Sequence, residues 1–245
     1  MTGKVTVAAL QQMKREGKQI VGVVAYDYPT AQIADRAGVD LLSVGDSVGA
    51  NLWGQATETE VSVEEILLAC KAVTRGASRA LVSCDIPSGP ARAGVQTSVS
   101  AALRLAQEGG AGMVKIPGTP ETVRAIVRAG IPVFAEFHGG TGIPVGKLVE
   151  EAKRLEGAGA SLLDFRHSGP EAGAAVVKAV SIPVIGGLGG GPWLDGRVRL
   201  AHTAIGYGAK WIDSKAETYG NAAQLSLQAF TALIADVRAG RQIKG

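Results

Sequence analysis

The sequence lacks several features that would assign the protein to a particular class. Aromatic residues make up 4% of the 245 residues, there are two cysteines, and 25 basic residues nearly balance 22 acidic ones. No basic cluster is interleaved with aromatic residues, so we expect no nucleic-acid partner. Cys70 and Cys84 fit no metal-binding spacing, and we expect free thiols of the kind found in a reducing cytosol.

Long hydrophobic runs are also missing. No apolar run approaches the ~18 residues that a membrane-spanning helix needs, and the N-terminal segment MTGKVTVAALQQMK is too polar for a signal peptide. We therefore expect a cytoplasmic protein with no membrane partner. Hydrophobic residues still make up 46% of the chain, which is enough for one large buried core.

Short apolar runs alternate with amphipathic stretches along the whole chain. The runs are rich in Val, Ile and Leu, which is typical of buried parallel strands, and the stretches between them have helical periodicity. The runs lie at 20–27, 41–46, 80–85, 113–116, 132–137, 161–166, 182–187 and, most weakly, 209–213. About eight such units predict a (β/α)8 TIM barrel in a single domain over residues 1–245. An open doubly wound sheet is the alternative.

Polar residues close most of these apolar runs. The active site of a (β/α)8 barrel forms at the C-terminal ends of its strands, so we expect these side chains to converge there. The strand-end polar residues are Tyr26, Asp27, Asp46, Ser47, Asp85, Lys115, Glu136, His138, Asp164 and Arg166. Any single Asp or Ser could instead cap the following helix, but the set as a whole favours a functional site.

Two of these residues predict a metal site. Asp46 and Asp85 end neighbouring strands, so their carboxylates could share one divalent cation. Carboxylate oxygens are hard ligands of the kind that magnesium prefers. We therefore predict that Asp46 and Asp85 bind Mg²⁺ or another divalent metal.

Several segments resemble one known family. AYDYPTAQIADRAGVDLLSVGDSVG, CKAVTRGASRALVSCDIPSG and SIPVIGGLGGGPWLDGRV resemble ketopantoate hydroxymethyltransferases (3-methyl-2-oxobutanoate hydroxymethyltransferases), which belong to the phosphoenolpyruvate mutase and isocitrate lyase superfamily. The resemblance implies a metal-dependent, aldol-type C–C bond formation on a 2-oxo acid through a magnesium enolate, in pantothenate biosynthesis. It also implies a homo-oligomer, commonly a decamer. Whether 5,10-methylenetetrahydrofolate is the co-substrate stays open.

The resemblance assigns roles to four strand-end residues that are intact here. Asp46 and Asp85 match metal ligands, and Ser47 matches a contact to the substrate carboxylate. Lys115 matches the lysine near the substrate oxygens, with a catalytic and a binding role. Tyr26 is a further substrate-binding candidate.

The sequence departs from the family pattern at three places. Pro117 stands where the family has a glutamate that helps to hold the metal. Arg166 stands where the family has the glutamate that acts as general base, and an arginine cannot accept a proton at neutral pH. The loop after the fifth strand is shorter and lacks the Gly-Gly-Tyr signature of the family.

Two other residues are candidates for the missing base. Glu136 and His138 lie on one face of the fifth strand, since strand side chains alternate, and we predict that one of them accepts the proton. Arg166 is then a substrate-binding residue that pairs with a second anionic group, or else forms an internal ion pair with Asp164. A retro-aldol lyase, a phosphoenolpyruvate-mutase-like enzyme and a non-catalytic binding paralogue are the alternative functions.

Overall fold

The computed structural model describes residues 3–243, apart from the side chain of Glu58. Its eight β-strands are β1 Ile20–Val24, β2 Leu41–Val44, β3 Leu81–Asp85, β4 Met113–Pro117, β5 Val133–His138, β6 Leu162–Arg166, β7 Val184–Gly186 and β8 Gly196–Leu200. They form a closed barrel in the order β1 to β8. Consecutive strands from β1 to β8 pair in parallel, as right-handed β–α–β connections require. The predicted (β/α)8 barrel is confirmed.

Helices follow most of the strands. The α-helices are α1 Val7–Arg15, α2 Tyr28–Ala37, α3 Val63–Gly76, α4 Ser88–Arg92, α5 Val95–Gln107, α6 Pro120–Arg128, α7 Val145–Gly157, α8 Pro170–Ala179, α9 Ala201–Ala204 and α10 Ala222–Arg238. Local signals fix their ends. Asp27, one of the strand-end polar residues, caps α2 by accepting a hydrogen bond from the Thr30 backbone N–H at 2.8 Å, and Gly38 ends that helix at φ 93°.

The predicted position of the eighth strand is wrong. Residues 209–213 contain a 3₁₀ turn, Ala209–Trp211, and the strand that closes the barrel is β8, Gly196–Leu200. In β8, Gly196 and Val198 are buried while Arg197 and Arg199 are exposed. This strand therefore alternates between glycine or valine and arginine, and it does not form the continuous apolar run that marks the other strands.

Contacts divide the chain into two units, one ending at Val198 and the other beginning at Arg199. The second contains α9, the 3₁₀ turn and α10, and in it the buried ring of His202 lies 4.8 Å from the ring of Tyr207. The extent of a single domain over residues 1–245 stays a prediction. Among residues 3–243, no helix has the length and apolar character that crossing a membrane demands.

The interior of the barrel is apolar at one end and polar at the other. Side chains at the N-terminal ends of the strands form a dry cluster, here called the floor, that includes Ile20, Leu41, Leu81, Met113, Phe134, Leu162 and Ile185. One layer higher, the inward positions are polar and include Ser43, Ser83, Lys115, Glu136 and Asp164. The open C-terminal end, here called the mouth, therefore carries the charged side chains, as the sequence predicts.

Candidate active site

Strand register brings the charged residues of the mouth into contact. Asp85 is paired with Lys115 across β3 and β4, and Glu136 with Asp164 across β5 and β6. His138 and Arg166 form the next inward pair toward the mouth. The ring of Phe137 stacks on that of Phe165 at 4.3 Å on the outer side of β5 and β6. That stack holds the two strands in the register that sets the inward pairs.

Lys115 lies at the centre of the cluster. Its Nζ is 2.7 Å from Oε2 of Glu136, 3.3 Å from Oδ2 of Asp85 and 3.4 Å from Oδ2 of Asp164. Burial by itself would lower the pKa of Lys115, but the attraction of Asp85, Asp164 and Glu136 raises that pKa well above its usual range. The ammonium group is therefore a fixed positive charge among carboxylates.

Asp85 is the least satisfied of these carboxylates. Its Oδ1 is buried and has no hydrogen-bond partner, while Oδ2 accepts from Lys115. Burial raises the pKa of Asp85 to about 7, against the opposing effect of Lys115, and repulsion from Asp46 and Glu136 adds to the rise. Burial also raises the pKa of Asp46, which is half-buried after β2. The charged form of each predicted metal ligand is therefore disfavoured by burial, and Asp46 further disfavours that of Asp85.

Glu136 has the opposite character. Its carboxylate contacts Lys115, the Nε2 of His138 at 2.9 Å and the guanidinium of Arg166 at 3.1 Å. Burial opposes ionisation, but Lys115 and Arg166 together lower the pKa of Glu136 to about 2. Glu136 is thus a fully ionised carboxylate that binds a proton weakly, and it orients the ring of His138, which is half-exposed.

Tyr26 and Ser47 lie together beside this cluster. The Tyr26 hydroxyl and the Ser47 Oγ share a hydrogen bond of 2.7 Å, and Asn51 Nδ2 donates to the backbone carbonyl of Ser47 at 2.9 Å. The Cβ that a side chain would add at Gly45 would lie 3.0 Å from Ser47 Oγ and 3.7 Å from Asp85 Oδ2. The hydroxyl of Ser47 and the carboxylate of Asp85 thus flank the same glycine.

The residues at the mouth suit a divalent cation that is coordinated partly by the protein and partly by a substrate. The orphaned Oδ1 of Asp85 and the proximity of Asp46 provide carboxylate oxygens whose mutual repulsion a cation would relieve. Among the side chains that the structure describes, no three His, Cys, Asp or Glu residues converge to hold a metal by themselves. Mg²⁺ commonly takes one or two carboxylates and completes its shell with water and substrate oxygens, so two aspartates are a sufficient protein contribution.

His167 belongs to the mouth although the sequence analysis did not select it. It follows Arg166 at the end of β6, and its ring centroid is 6.4 Å from that of His138. It is the one non-glycine residue among 3–243 with positive φ, at 53°. Strand alternation would turn the residue after Arg166 away from the mouth, so only the backbone conformation could have revealed this position.

The structure also places Asp164 and the two cysteines. Asp164 pairs with Lys115 and accepts a 3.3 Å hydrogen bond from the Gly187 backbone N–H, while Arg166 pairs with Glu136. Cys70 and Cys84 are buried free cysteines. The eight predicted site residues, taken with Asp164 and His167, lie in the middle or at the C-terminal end of strands β3 to β6, or within three residues after β1, β2 or β6.

The protein has a parallel eight-stranded barrel with charged residues grouped at one end, which is the arrangement of (β/α)8-barrel enzymes. A family model described as ketopantoate hydroxymethyltransferase matches residues 4–242. The chain therefore belongs to the ketopantoate hydroxymethyltransferase family, which is a family of transferases, and the resemblance seen in the sequence is confirmed.

Relatives from bacteria share about a third of the sequence. A 3-methyl-2-oxobutanoate hydroxymethyltransferase of Cyanothece is 38% identical over 244 residues, covering 92% of this chain and 93% of that protein. The protein of the same description from Geobacillus kaustophilus is 35% identical over 245 residues, covering 92% of this chain and 87% of the relative.

Solved structures share the fold at low identity. A 2,3-dimethylmalate lyase, described as a PEP mutase/isocitrate lyase superfamily member, has a TM-score of 0.66 at 14% identity, covering 95% of this chain and 87% of that one. A phosphonopyruvate hydrolase in complex with oxalate and Mg²⁺ has a TM-score of 0.61 at 16% identity, covering 96% and 88%. These likenesses show the fold.

Proposed function

We propose that this enzyme is metal-dependent and forms a C–C bond at the carbon next to the carbonyl of a 2-oxo acid, as ketopantoate hydroxymethyltransferases are named for doing. The observation that carries the proposal is Asp85, a buried carboxylate with an unpartnered oxygen beside Lys115 and Asp46. A phosphonopyruvate hydrolase of the same fold, described with oxalate and Mg²⁺, supports a divalent metal here.

Asp46 and Asp85 would hold the cation at the ends of β2 and β3. When bound, a divalent cation polarises a carbonyl oxygen and makes the neighbouring C–H more acidic. Ser47 then donates its hydroxyl hydrogen to the substrate carboxylate, with Tyr26 orienting that hydroxyl through the 2.7 Å hydrogen bond. Lys115, which is fully protonated, stabilises the negative charge that develops on the substrate oxygens.

His138 is the group that we assign to proton removal. Glu136 has too low a pKa to hold a proton, but it fixes Nε2 of His138 at 2.9 Å and stabilises the imidazolium that forms. The half-exposed ring can reach a substrate, whereas the buried carboxylate of Glu136 is 7% exposed. Glu136 is therefore a positioning residue, and His138 carries the proton.

5,10-Methylenetetrahydrofolate is the one-carbon donor that the family resemblance implies. A retro-aldol lyase or a phosphoenolpyruvate-mutase-like enzyme is the second candidate, and Arg166 favours it, because a guanidinium at the mouth suits a substrate with a second anionic group.

We also propose that the protein is cytoplasmic and a homo-oligomer, with a decamer as the size that the resemblance implies. Helix α10 supports association because it exposes six large apolar side chains: Leu225, Leu227, Phe230, Leu233, Ile234 and Val237. Light scattering of the purified protein should give a mass of several subunits. A monomer at micromolar concentration would contradict this part of the proposal.

Proton exchange at C3 of 2-oxo acids tests the chemistry. The protein is incubated in D₂O with Mg²⁺ and 3-methyl-2-oxobutanoate, and loss of the C3 proton signal is followed by NMR. We expect exchange that depends on both protein and Mg²⁺, and a loss of roughly 100-fold or more in Glu136→Gln, because a neutral amide replaces the carboxylate that orients His138. Glu151→Gln, a surface glutamate on α7 that also pairs with an arginine, is the matched control. Absence of exchange with a panel of 2-oxo acids would favour a non-catalytic binding protein.

A further inference from the structure

The charges of the mouth are unevenly distributed around the barrel. Asp46 and Asp85, which follow or end β2 and β3, occupy one side. Arg166 ends β6, four strands from β2 and three from β3 in a closed barrel of eight, and so lies across the mouth from Asp46 and Asp85. A substrate whose 2-oxo acid group lies at Asp46 and Asp85 therefore extends toward Arg166.

The backbone at Arg166 presents two consecutive side chains to the mouth. In a regular strand the residue after Arg166 would point to the opposite face. His167 has φ 53°, a left-handed conformation that breaks this alternation, and its ring lies 6.4 Å from His138, which shares the inward face with Arg166. The strained residue thus places an imidazole 6.4 Å from the ring of His138, at the end of β6 where Arg166 also lies.

Two neighbouring loops, the one after β5 and the one after β7, hold His167 in this conformation. Its backbone N–H donates to the carbonyl of Leu188 at 2.7 Å. A Cβ at Gly139 would lie 2.5 Å from the carbonyl oxygen of His167, and a Cβ at Gly189 would lie 2.9 Å from its Nδ1. The glycines that follow β5 and β7 therefore leave space for this arrangement, and strain that is held so closely is characteristic of functional positions.

The chemistry of the pair suits an anion. The Arg166 guanidinium carries five N–H donors in a planar fork, which matches carboxylate and phosphonate oxygens, and its side chain is 27% exposed. Glu136 accepts from one of its nitrogens and so fixes the plane of the guanidinium. The exposed ring of His167 can donate a further hydrogen bond from the same side.

We propose that Arg166 and His167 bind a second anionic group of the substrate, a carboxylate or a phosphonate, at the end remote from the 2-oxo acid group. The preferred substrate is then a dianionic 2-oxo acid and not a branched aliphatic one. This inference rests on the proposed function, because the 2-oxo acid end is taken to lie at Asp46 and Asp85.

Paired ligands test the inference by calorimetry with Mg²⁺. 2-Oxoglutarate and 2-oxopentanoate have the same five-carbon backbone and differ in the second carboxylate. We expect 2-oxoglutarate to bind about tenfold more tightly or better, as charge-assisted hydrogen bonds to one guanidinium allow. 3-Phosphonopyruvate, measured in parallel, distinguishes a phosphonate from a carboxylate preference.

Two variants locate the effect. In Arg166→Gln the affinity ratio of the dianion to 2-oxopentanoate should fall toward one. In His167→Asn the ratio should fall by about threefold or more, and asparagine is chosen because it tolerates positive φ and so keeps the backbone. Arg128→Gln, an exposed arginine on α6, is the matched control and should keep the wild-type ratio.

The outcomes separate this inference from the function on which it rests. If 2-oxopentanoate binds with Mg²⁺ and exchanges its C3 protons while neither dianion binds more tightly, the anion site is wrong and the proposed function stands. If a dianion preference survives in both variants, other residues recognise the group and the assignment is overturned. If no 2-oxo acid binds or exchanges, the proposed function fails, and this inference fails with it.

Discussion

Two aspartates of nearly equal solvent exposure lie at opposite ends of the barrel and behave differently. Asp35, on α2 near the floor, is 7% exposed, and Asp85, at the mouth, is 9% exposed. Asp35 accepts hydrogen bonds from the backbone N–H groups of Ser78, Arg79 and Ala80 and from the Ser78 hydroxyl. Asp85 has one oxygen with no partner.

The pKa values follow both the number of donors and the depth of burial, because the carboxyl of Asp85 lies deeper in the protein than that of Asp35. Burial acts to raise the pKa of Asp35, but the hydrogen bonds from Ala80, Ser78 and Arg79 outweigh it and hold that pKa below its usual range. Burial dominates at Asp85 and raises its pKa to about 7. A buried carboxylate whose oxygens all accept hydrogen bonds stabilises the fold. A buried carboxylate with an unpaired oxygen is suited to bind a cation or another ligand.

The largest expected difference between the two ends concerns ligand affinity. Asp85→Asn should lower the affinity for 2-oxo acid in the presence of Mg²⁺ by roughly 100-fold or more, because a neutral amide replaces a ligand and even outer partners of a metal contribute 10- to 100-fold. Calorimetry with and without Mg²⁺ measures it. Asp35→Asn, the same chemical change near the floor, is the control and should bind as the wild type does. Equal losses of affinity in the two variants would contradict the proposed difference between the mouth and the floor.

The second effect is the stability that Asp35 contributes. Asp35→Asn should lower the free energy of unfolding by about 3 kcal/mol near neutral pH, because its amide NH₂ would face the donors of Ser78 to Ala80. Urea unfolding measures the change. Since the folded pKa is depressed, this contribution is present above the unfolded value of about 3.9 and is lost as the pH falls through the folded pKa. A loss that is just as large in strong acid would contradict this account.

The carboxyl of Asp85 should have the opposite effect on the free energy of unfolding. Its folded pKa of about 7 lies above the unfolded value, so the folded state binds a proton more readily and Asp85 reduces stability as pH rises from about 4 to about 7. In the metal-free protein, Asp85→Asn should therefore raise the free energy of unfolding by about 4 kcal/mol above pH 7 and by little near pH 4. Thermal unfolding with a chelator at several pH values measures it. A variant destabilised above pH 7 would show that the Lys115 pairing outweighs burial.

Most of the strands, and most of the residues that line the mouth, could be predicted from the sequence, because both depend on local patterns. Seven strands form continuous apolar runs, and polar residues close the first six of them. β8 could not be found this way, since Arg197 and Arg199 alternate with small or apolar residues. Asp27 ends an apolar run as Asp46 does, yet it caps α2, and the local sign of this is Pro29 in the first turn of that helix.

The contacts within the mouth could not be predicted, because they depend on strand register and backbone conformation. Lys115 reaches three carboxylates from three different strands, and only the stagger of the closed barrel determines that. The sequence allows either Glu136 or His138 as the base, and only the pairing of Glu136 with Lys115 and Arg166 distinguishes them. His167 depends on one φ angle.

The smallest expected effect concerns the tolerance of the two ends to extra volume. The floor is close-packed, with Phe134 and Leu162 each 1% exposed, so an added methylene there should be unfavourable. At the mouth, the connection from β5 to α7 is six residues, 139–144, and residues 140–144 are exposed. We therefore expect 3-methyl-2-oxopentanoate to bind within about threefold of 3-methyl-2-oxobutanoate, whereas an enclosing pocket would discriminate one methylene by 10-fold or more. Competition calorimetry with Mg²⁺ measures the ratio. Discrimination above tenfold would mean that the short connection does not leave the mouth open and that other residues close over the substrate.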